Sequence, residues 1–418
     1  MSTASIVNPQ PVCPGDIEAQ TSETDLTMFH ANPARIVGTC IRVDRKFHVG
    51  MLRYCETIAA RIVSVHPEAT DGPEPMDTID VPLNALPYGI LVINDDPRSQ
   101  AGFAQREALD RQLGRSAIVY GMGLGCEALA RSRGLPYIMT MECDLMTQAT
   151  ISRTQVKSSL RKLSRTLRTT WNYYRRTLPD ARGATAIHCN GYPAYDAMNN
   201  VTPSRLLYLD SRMTSGMVIS ESTLASRLAA RSQRPMKLLY SGRYEPLKGA
   251  ADAVKVAICA ANLGVDLEMH CYGSGSQAQA MLQLVDGALM TGKIHVHDAV
   301  TYPELVELAR EFDVFVCCHI QSDPSCTYVE SFGAGLPIVG YGNRMWRRLC
   351  ETSKAGMWSK NRHPELVARD LQRLANDPVL HETMSSNARA FALEHCFESE
   401  FAKRTDALNE ALRLATSR

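Results

Sequence analysis

From Arg35 onward, short β-branched runs alternate with longer amphipathic segments, the pattern of βαβ units built on a parallel sheet. IVGTCIRVD (36–44) is the first predicted strand, followed by a helix from about Val49 (GMLRYCETIAA). RIVSVHP, a polar Pro/Gly loop over 67–77, YGILVIND (88–95), SAIVYG (116–121), the helix LGCEALARSRG and LPYIMTMEC (135–143) continue the alternation. Residues 155–178 carry a helical period, and GATAIHCN (183–190) and RLLYLD (205–210) read as strands. Together they predict one doubly wound domain.

A second series starts after the turn-rich ARSQRP (230–235). MKLLYSG (236–242), DLEMHCYGSG (266–275), KIHVHDAV (293–300), DVFVCC (313–318) and LPIVGYG (336–342) are strands, separated by helices such as KGAADAVKVAICAANLG and YVESFGAG. Residues 364–418 read as nearly continuous helix with no further strand. The predicted fold class is therefore α/β, with two Rossmann-like domains facing a central cleft and a helical C-terminal tail. The division expected is a polar tail at 1–30, domains at 31–215 and 216–395, and a final helix at 396–418 packing back toward the N-terminal domain.

Composition agrees with two ordinary globular domains, at 418 residues with 45% hydrophobic and 21% charged positions. Lys+Arg 45 against Asp+Glu 44 leaves a formal charge of +1, so no overall field draws the chain to nucleic acid. One local exception is Lys157, Arg161, Lys162, Arg165, Arg168, Arg175 and Arg176, interleaved with Leu160, Leu163 and Leu167. It reads either as a solvated helix face or as an amphipathic helix for a membrane or an anionic acceptor. Thirteen cysteines show no CxxC pair and no zinc-like spacing, which predicts reduced thiols. The N-terminus lacks the charged and apolar regions of a secretory signal, and no stretch approaches about twenty apolar residues, so the expectation is a cytoplasmic protein.

Ligands of open parallel sheets gather at the C-terminal ends of strands. Ser241-Gly242-Arg243-Tyr244-Glu245-Pro246-Leu247-Lys248-Gly249 follows the strand MKLLY, and its guanidinium and ammonium suit a diphosphate or are two solvated cations near a turn. Ser322-Asp323-Pro324-Ser325-Cys326-Thr327-Tyr328-Val329-Glu330 follows DVFVCC and starts a helix, with Glu330 either bonded to a ligand hydroxyl or at the surface. Gly273-Ser-Gly275 and Gly123-Leu-Gly125 fit G-x-G-x-x-A formally. Neither follows the first strand of its domain, so both give close backbone approach to a ligand or are simple turns.

In order and spacing, strand–GRxxxxKG–helix, strand–GxG and strand–DPSxxxxEsfGxGxP–strand resemble the donor-binding domain of the family-4 retaining glycosyltransferases of the GT-B fold, over about 236–410. That resemblance implies that Arg243 and Lys248 hold the diphosphate of a nucleotide-sugar, that Glu330 bonds the ribose hydroxyls, and that Gly273 and Gly275, with Gly242, line the donor pocket. From the helix start itself, the N–H groups near Ser325, Cys326 and Thr327 are placed to cap an anion or sugar hydroxyls, with Ser322 and Asp323 just before them. Residues 31–215 become the acceptor side and 216–395 the donor side.

Two departures stand out. The family's Glu-x7-Glu pattern has Ser322 at its first position, with Asp323 beside it as a substitute. Where the family has Thr-x-His stands Thr140-Met141-Glu142, a glutamate in place of the histidine; Glu142 or Asp144 either bonds a sugar hydroxyl or merely ends the strand in solvent, and Glu142 joins Arg243 and Lys248 as a catalytic candidate. In the fold that the resemblance implies, the loop Asp44-Arg45-Lys46-Phe47-His48 sits where acceptors approach, and its cations serve an anionic acceptor or nothing in particular. The expected activity is metal-independent, retaining hexosyl transfer to a glycan or lipid-linked acceptor, in polysaccharide or glycoconjugate biosynthesis, with no cofactor and with peripheral contact at the inner face of a membrane. A catalytically degenerate nucleotide-sugar-binding subunit and a nucleotide-sugar epimerase of the same fold are the alternatives.

Overall fold

The computed structural model describes residues 24–69, 78–94, 100–154, 156, 158–202 and 204–417. In chain order the strands of the first half are β1 (Asp25–Phe29), β2 (Arg35–Val37), β3 (Cys40–Asp44), β4 (Arg61–Pro67), β5 (Thr78–Pro82), β6 (Gly89–Ile93), β7 (Ser116–Gly121), β8 (Tyr137–Met141), β9 (Ala186–Asn190) and β10 (Arg205–Tyr208). Seven of them form a parallel sheet in the order β10-β9-β8-β7-β1-β4-β6, while β2, β3 and β5 make a small antiparallel sheet beside it. The second half contributes β11 (Met236–Ser241), β12 (Leu267–Tyr272), β13 (Ile294–His297), β14 (Val314–Cys317), β15 (Ile338–Tyr341) and β16 (Gly356–Ser359). Their order is β13-β12-β11-β14-β15-β16, again all parallel.

Central parallel strands are apolar because helices cover both faces. β14 is buried along its whole length, with Val316 turned to a core that includes Leu238, Val254, Met269 and Leu371, and Phe315 turned to another with Leu239, Phe332, Trp346 and Phe391. The last helix, Phe397–Thr416, leaves this half and places Phe401, Leu408 and Leu412 among Leu26, Met51 and Tyr120 of the N-terminal core. Its Glu400 accepts a hydrogen bond from Leu209 N at 2.8 Å, fixing the segment where the chain crosses between the sheets.

Three sequence expectations need correction. Residues 25–29 lie within the expected polar tail, yet β1 occupies the middle of the N-terminal sheet. Its polar residues are buried and satisfied: Asp25 takes Arg61 at 2.5 Å and Gln112 at 2.8 Å, and Thr27 bonds Ser116 at 2.6 Å. Next, the run 36–44 is a hairpin, turning at Gly38 (φ 61°), in the small antiparallel sheet rather than a parallel core strand. Finally, β5 and β16 are strands that the pattern did not announce, and the helix expected from Val49 begins at Arg45, capped by Asp44 Oδ1 accepting from Phe47 N. Residues 1–23 of the expected tail and Lys157 lie outside the described residues.

Candidate functional site

The C-terminal ends of β11, β12 and β14 bring the two expected loops together. Lys248 ends a short turn, Pro246–Lys248, and is only 8% exposed. Its ammonium donates to Asp323 Oδ2 at 3.0 Å and to Ser325 Oγ at 3.4 Å, joining the loop after β11 to the loop after β14. Gly249 makes that approach possible: at φ +63°, a Cβ there would stand 2.0 Å from Cys318 O. Asp323 Oδ1 is buried without a hydrogen-bond partner among the described residues. Arg243 is exposed, and its guanidinium has neither hydrogen bond nor ion pair among the described residues.

The glycines serve the loops themselves. A Cβ on Gly273 would lie 2.0 Å from Gly242 O, and one on Gly275 would lie 2.7 Å from Tyr244 O. This close contact lets Tyr244 N donate to Ser274 O at 2.7 Å, while Ser276 N and Oγ both donate to Glu245. The G-x-G segment therefore braces the loop carrying Arg243. Gly123 and Gly125, the other formal match, adopt φ of 91° and 69° and start the helix Cys126–Ser132.

Glu330 lies on the helix Thr327–Gly333, and its Oε1 accepts from Arg212 Nε at 2.9 Å. Oε2 makes no hydrogen bond among the described residues. The Arg212 guanidinium in turn rests on the Tyr302 ring, 3.9 Å from its centroid. Ser322 does not face the Lys248 cluster; its Oγ accepts from Arg344 N and supports the start of the helix Arg344–Ser353. Ser325 spends its N–H on Asp323 O and its hydroxyl proton on Thr327 Oγ1.

Across from these loops, Glu142 follows β8 and is open to solvent on one side. Partial burial raises its carboxyl above the usual range, with Asp210 and Asp323 pushing the same way and Lys46 opposing. Behind it lies a cavity of about 370 Å³, bordered by Met122, Tyr137, Met139, Gln148 and Asp180. Asp144 is turned away and occupied: it accepts from Thr147 N and Oγ1, and from Arg344 at 2.6 Å. Burial pushes its carboxyl up, but those bonds more than offset it and hold it below the usual range.

Four residues with interacting side chains here were not singled out in the sequence: Asp210, Arg212, His319 and Arg344. Lys46, within a loop that was, donates to Asp210 at 2.6 Å and to Cys326 Sγ at 3.4 Å, so it spans from the helix Arg45–Thr57 to the β14 loop. Burial and then the positive charge of Lys248 and Arg243 keep the His319 imidazole far below its ordinary value, hence neutral. Only spacing could have marked Arg212, since Asp210 and Arg212 alternate just after β10 at a strand end.

Residues 227–391 match the family model described as glycosyl transferases group 1. The same architecture recurs in solved structures. A glycosyltransferase from Rickettsia africae superposes with TM-score 0.63 at 9% identity, covering 94% of this chain and 99% of that one. The Anabaena protein HepE in complex with UDP gives 0.61 at 12% identity over 94% and 99%, and the sucrose-phosphate synthase of Thermosynechococcus elongatus 0.61 at 14% over 94% and 100%. The fold is that of the GT-B glycosyltransferases. No curated protein matches the sequence. At such low identities the GT-B likeness establishes the fold alone, and the roles of individual residues rest on the geometry.

Proposed function

We propose that this GT-B chain is a retaining glycosyltransferase of the family-4 type, moving a hexosyl group from a nucleotide-diphosphate-sugar to a hydroxyl of a glycan or lipid-linked acceptor. The observation that carries this reading is the cation pair after β11: an uncommitted Arg243, and Lys248 held by Asp323 and Ser325. An ammonium has three N–H donors, so two bonds leave one for a phosphate oxygen. Both cations would meet charge as it grows on the departing diphosphate, the contribution that usually dominates such catalysis. They supply this without a metal ion, so a chelator is expected to leave turnover intact.

Asp323 Oδ1, buried and unpartnered, is then the acceptor for a hydroxyl of the donor sugar, in place of the glutamate missing at Ser322. Glu330 Oε2 is left for the ribose. Glu142 stands on the opposite wall, where a carboxyl with a raised pKa bonds the sugar or the incoming hydroxyl. The complex of HepE with UDP supports a uridine nucleotide as the first donor to try.

A lipid-linked acceptor, met at the membrane surface, is supported by the helix Ser159–Asn172 and the turn after it. Leu160 (80%), Leu163, Leu167, Trp171 and Tyr174 are exposed there beside Arg161, Lys162 and Arg168. No helix among the described residues is long and apolar enough to cross a membrane. The test of the transfer reading is the anomeric configuration of the product by NMR. An α-linked donor is expected to give an α-linked product, and a β-linked product overturns the retaining assignment.

A further inference from the structure

Away from the cleft, the outer edge of the C-terminal sheet carries a cluster that the transfer reaction does not use. β12 and β13 are parallel neighbours in the register His270↔His295 and Tyr272↔His297. Alternation therefore turns Glu268, His270, His295 and His297 to one face. His270 Nε2 lies 2.8 Å from Glu268 Oε1, and His295 Nε2 lies 3.7 Å from that same oxygen. The three donor atoms of Glu268, His270 and His295 all lie within 4.8 Å of one another. Two imidazoles and a carboxylate sharing one point are a donor set for a divalent transition metal of the zinc type. In a tetrahedral site with bonds of about 2.0–2.2 Å, neighbouring ligand atoms stand ~3.3 Å apart. The observed 2.8 and 3.7 Å bracket that separation.

The surroundings add a second, independent feature. His270 Nδ1 lies 3.0 Å from His297 Nε2, and the two rings are stacked 14° from parallel. One ring nitrogen of His270 therefore faces His297 and the other faces Glu268. A ligating histidine is commonly fixed by such an outer partner, which sets its tautomer and ring orientation. Phe312 closes the inner side, edge-on to His270 at 5.5 Å, while Glu268 and His295 keep about a third of their side-chain surface open for entry.

We propose that Glu268, His270 and His295 bind one zinc-type divalent cation, with His297 as the positioning residue and water completing the coordination. The cation takes the place of the proton between His270 Nε2 and Glu268 Oε1, and that proton leaves to solvent. Its role is structural, because β13 is an edge strand held from one side only. The brace reaches the donor loop through the main chain: His297 O accepts from Tyr244 Oη at 2.6 Å, one residue after Arg243.

Tag-free, metal-stripped chain titrated with Co²⁺ is expected to bind one equivalent and show the visible bands of a tetrahedral site, without thiolate charge-transfer absorption. Zn²⁺ should displace the Co²⁺ and raise Tm. His295→Gln, at the exposed edge, should weaken binding at least tenfold, and His270→Gln more. His297→Phe should weaken it about 10- to 100-fold while leaving one-to-one binding, as loss of an outer-shell partner does. Each variant is first checked for an unchanged Tm in the metal-free state. For any variant that is destabilised, the comparison is made with Glu268→Gln instead. Binding of less than one equivalent, thiolate absorption, or a His295→Gln/Glu268→Gln pair that binds like the parent overturns the proposal. Loss of transfer on chelation that Mn²⁺ restores equally in the parent and in Glu268→Gln, which lacks this site, would instead count against the metal-free transfer reading.

Discussion

Lys248 Nζ stands 3.0 Å from Asp323 Oδ2, so the lysine of the loop after β11 is held by the loop of the neighbouring strand β14. The pair is a fixed part of the fold as well as of the proposed donor site. Arg243, five residues earlier, is exposed and makes no such bond. The two cations of one motif should therefore respond differently to truncation.

Arg243→Ala is expected to cut kcat by about 30- to 1000-fold, the loss of roughly 2–4 kcal/mol of transition-state stabilisation, with Tm unchanged. Lys248→Ala should cut kcat comparably and also lower stability by about 1–3 kcal/mol, because Asp323 is left in a largely buried place without its partner. Parallel urea melts and single-turnover rates check both. A Lys248→Ala protein with full stability would mean that the ion pair contributes nothing to the fold.

Asp323→Asn keeps the shape but removes the charge that faces Lys248 and the unpartnered Oδ1 acceptor. Affinity for the free nucleoside diphosphate should stay within a few-fold, while kcat/KM for the nucleotide-sugar falls about 10- to 100-fold, since a hydrogen bond to a charged group is worth roughly 1.5–3 kcal/mol. Calorimetry with the nucleotide and initial rates with the donor separate the two. Equal losses for both ligands would place Asp323 on the phosphates instead of on the sugar.

Glu330→Gln should raise the donor KM with a smaller effect on kcat, because ribose contacts are made alike in the ground and transition states. Arg212→Ala should raise it too, by freeing the Glu330 side chain that Arg212 holds at 2.9 Å. Initial-rate kinetics over a range of donor concentrations decide it. A kcat loss at unchanged KM in both variants would argue against a ribose contact.

The raised pKa of Glu142 gives a stability prediction with a definite sign. Desolvation comes first, then Asp210, and both oppose the ionised form. The folded protein thus holds this proton more tightly than the unfolded chain does. The associated stability is complete below the unfolded value, about 4.3, and is lost as pH rises through the folded value. Glu142→Gln should therefore melt at a higher temperature than the parent at pH 7. The difference should shrink toward zero near pH 4. A Tm gain that is independent of pH would contradict this.

Much of this was legible before the fold was known, and the exceptions share a cause. Arg243 and Lys248 were readable because a strand followed by GRxxxxKG and a helix places cations at a strand end. β1 was not, because Asp25 and Thr27 look like tail residues until Arg61, Gln112 and Ser116 are brought around them by β4 and β7. The same limit hid Arg212 and Arg344: each acts on a carboxylate more than a hundred residues away, Glu330 and Asp144, and nothing local in the sequence marks such a pairing. The glycines of 273–275 were legible as a close approach, but the group approached is the Tyr244 loop.

The most direct test of the central claim is a thermal-shift titration of the parent chain and Arg243→Ala with a panel of nucleotide-diphosphate-sugars, uridine donors first. A ligand that binds only the folded state at one hundred times its Kd stabilises by about 2.7 kcal/mol, which reads as a rise of several degrees. The account predicts a saturable rise with at least one donor in the parent. With Arg243→Ala, which melts like the parent when no donor is present, the titration should need at least tenfold more donor. Equal donor affinity in the two proteins would contradict the assignment of this loop as the diphosphate clamp.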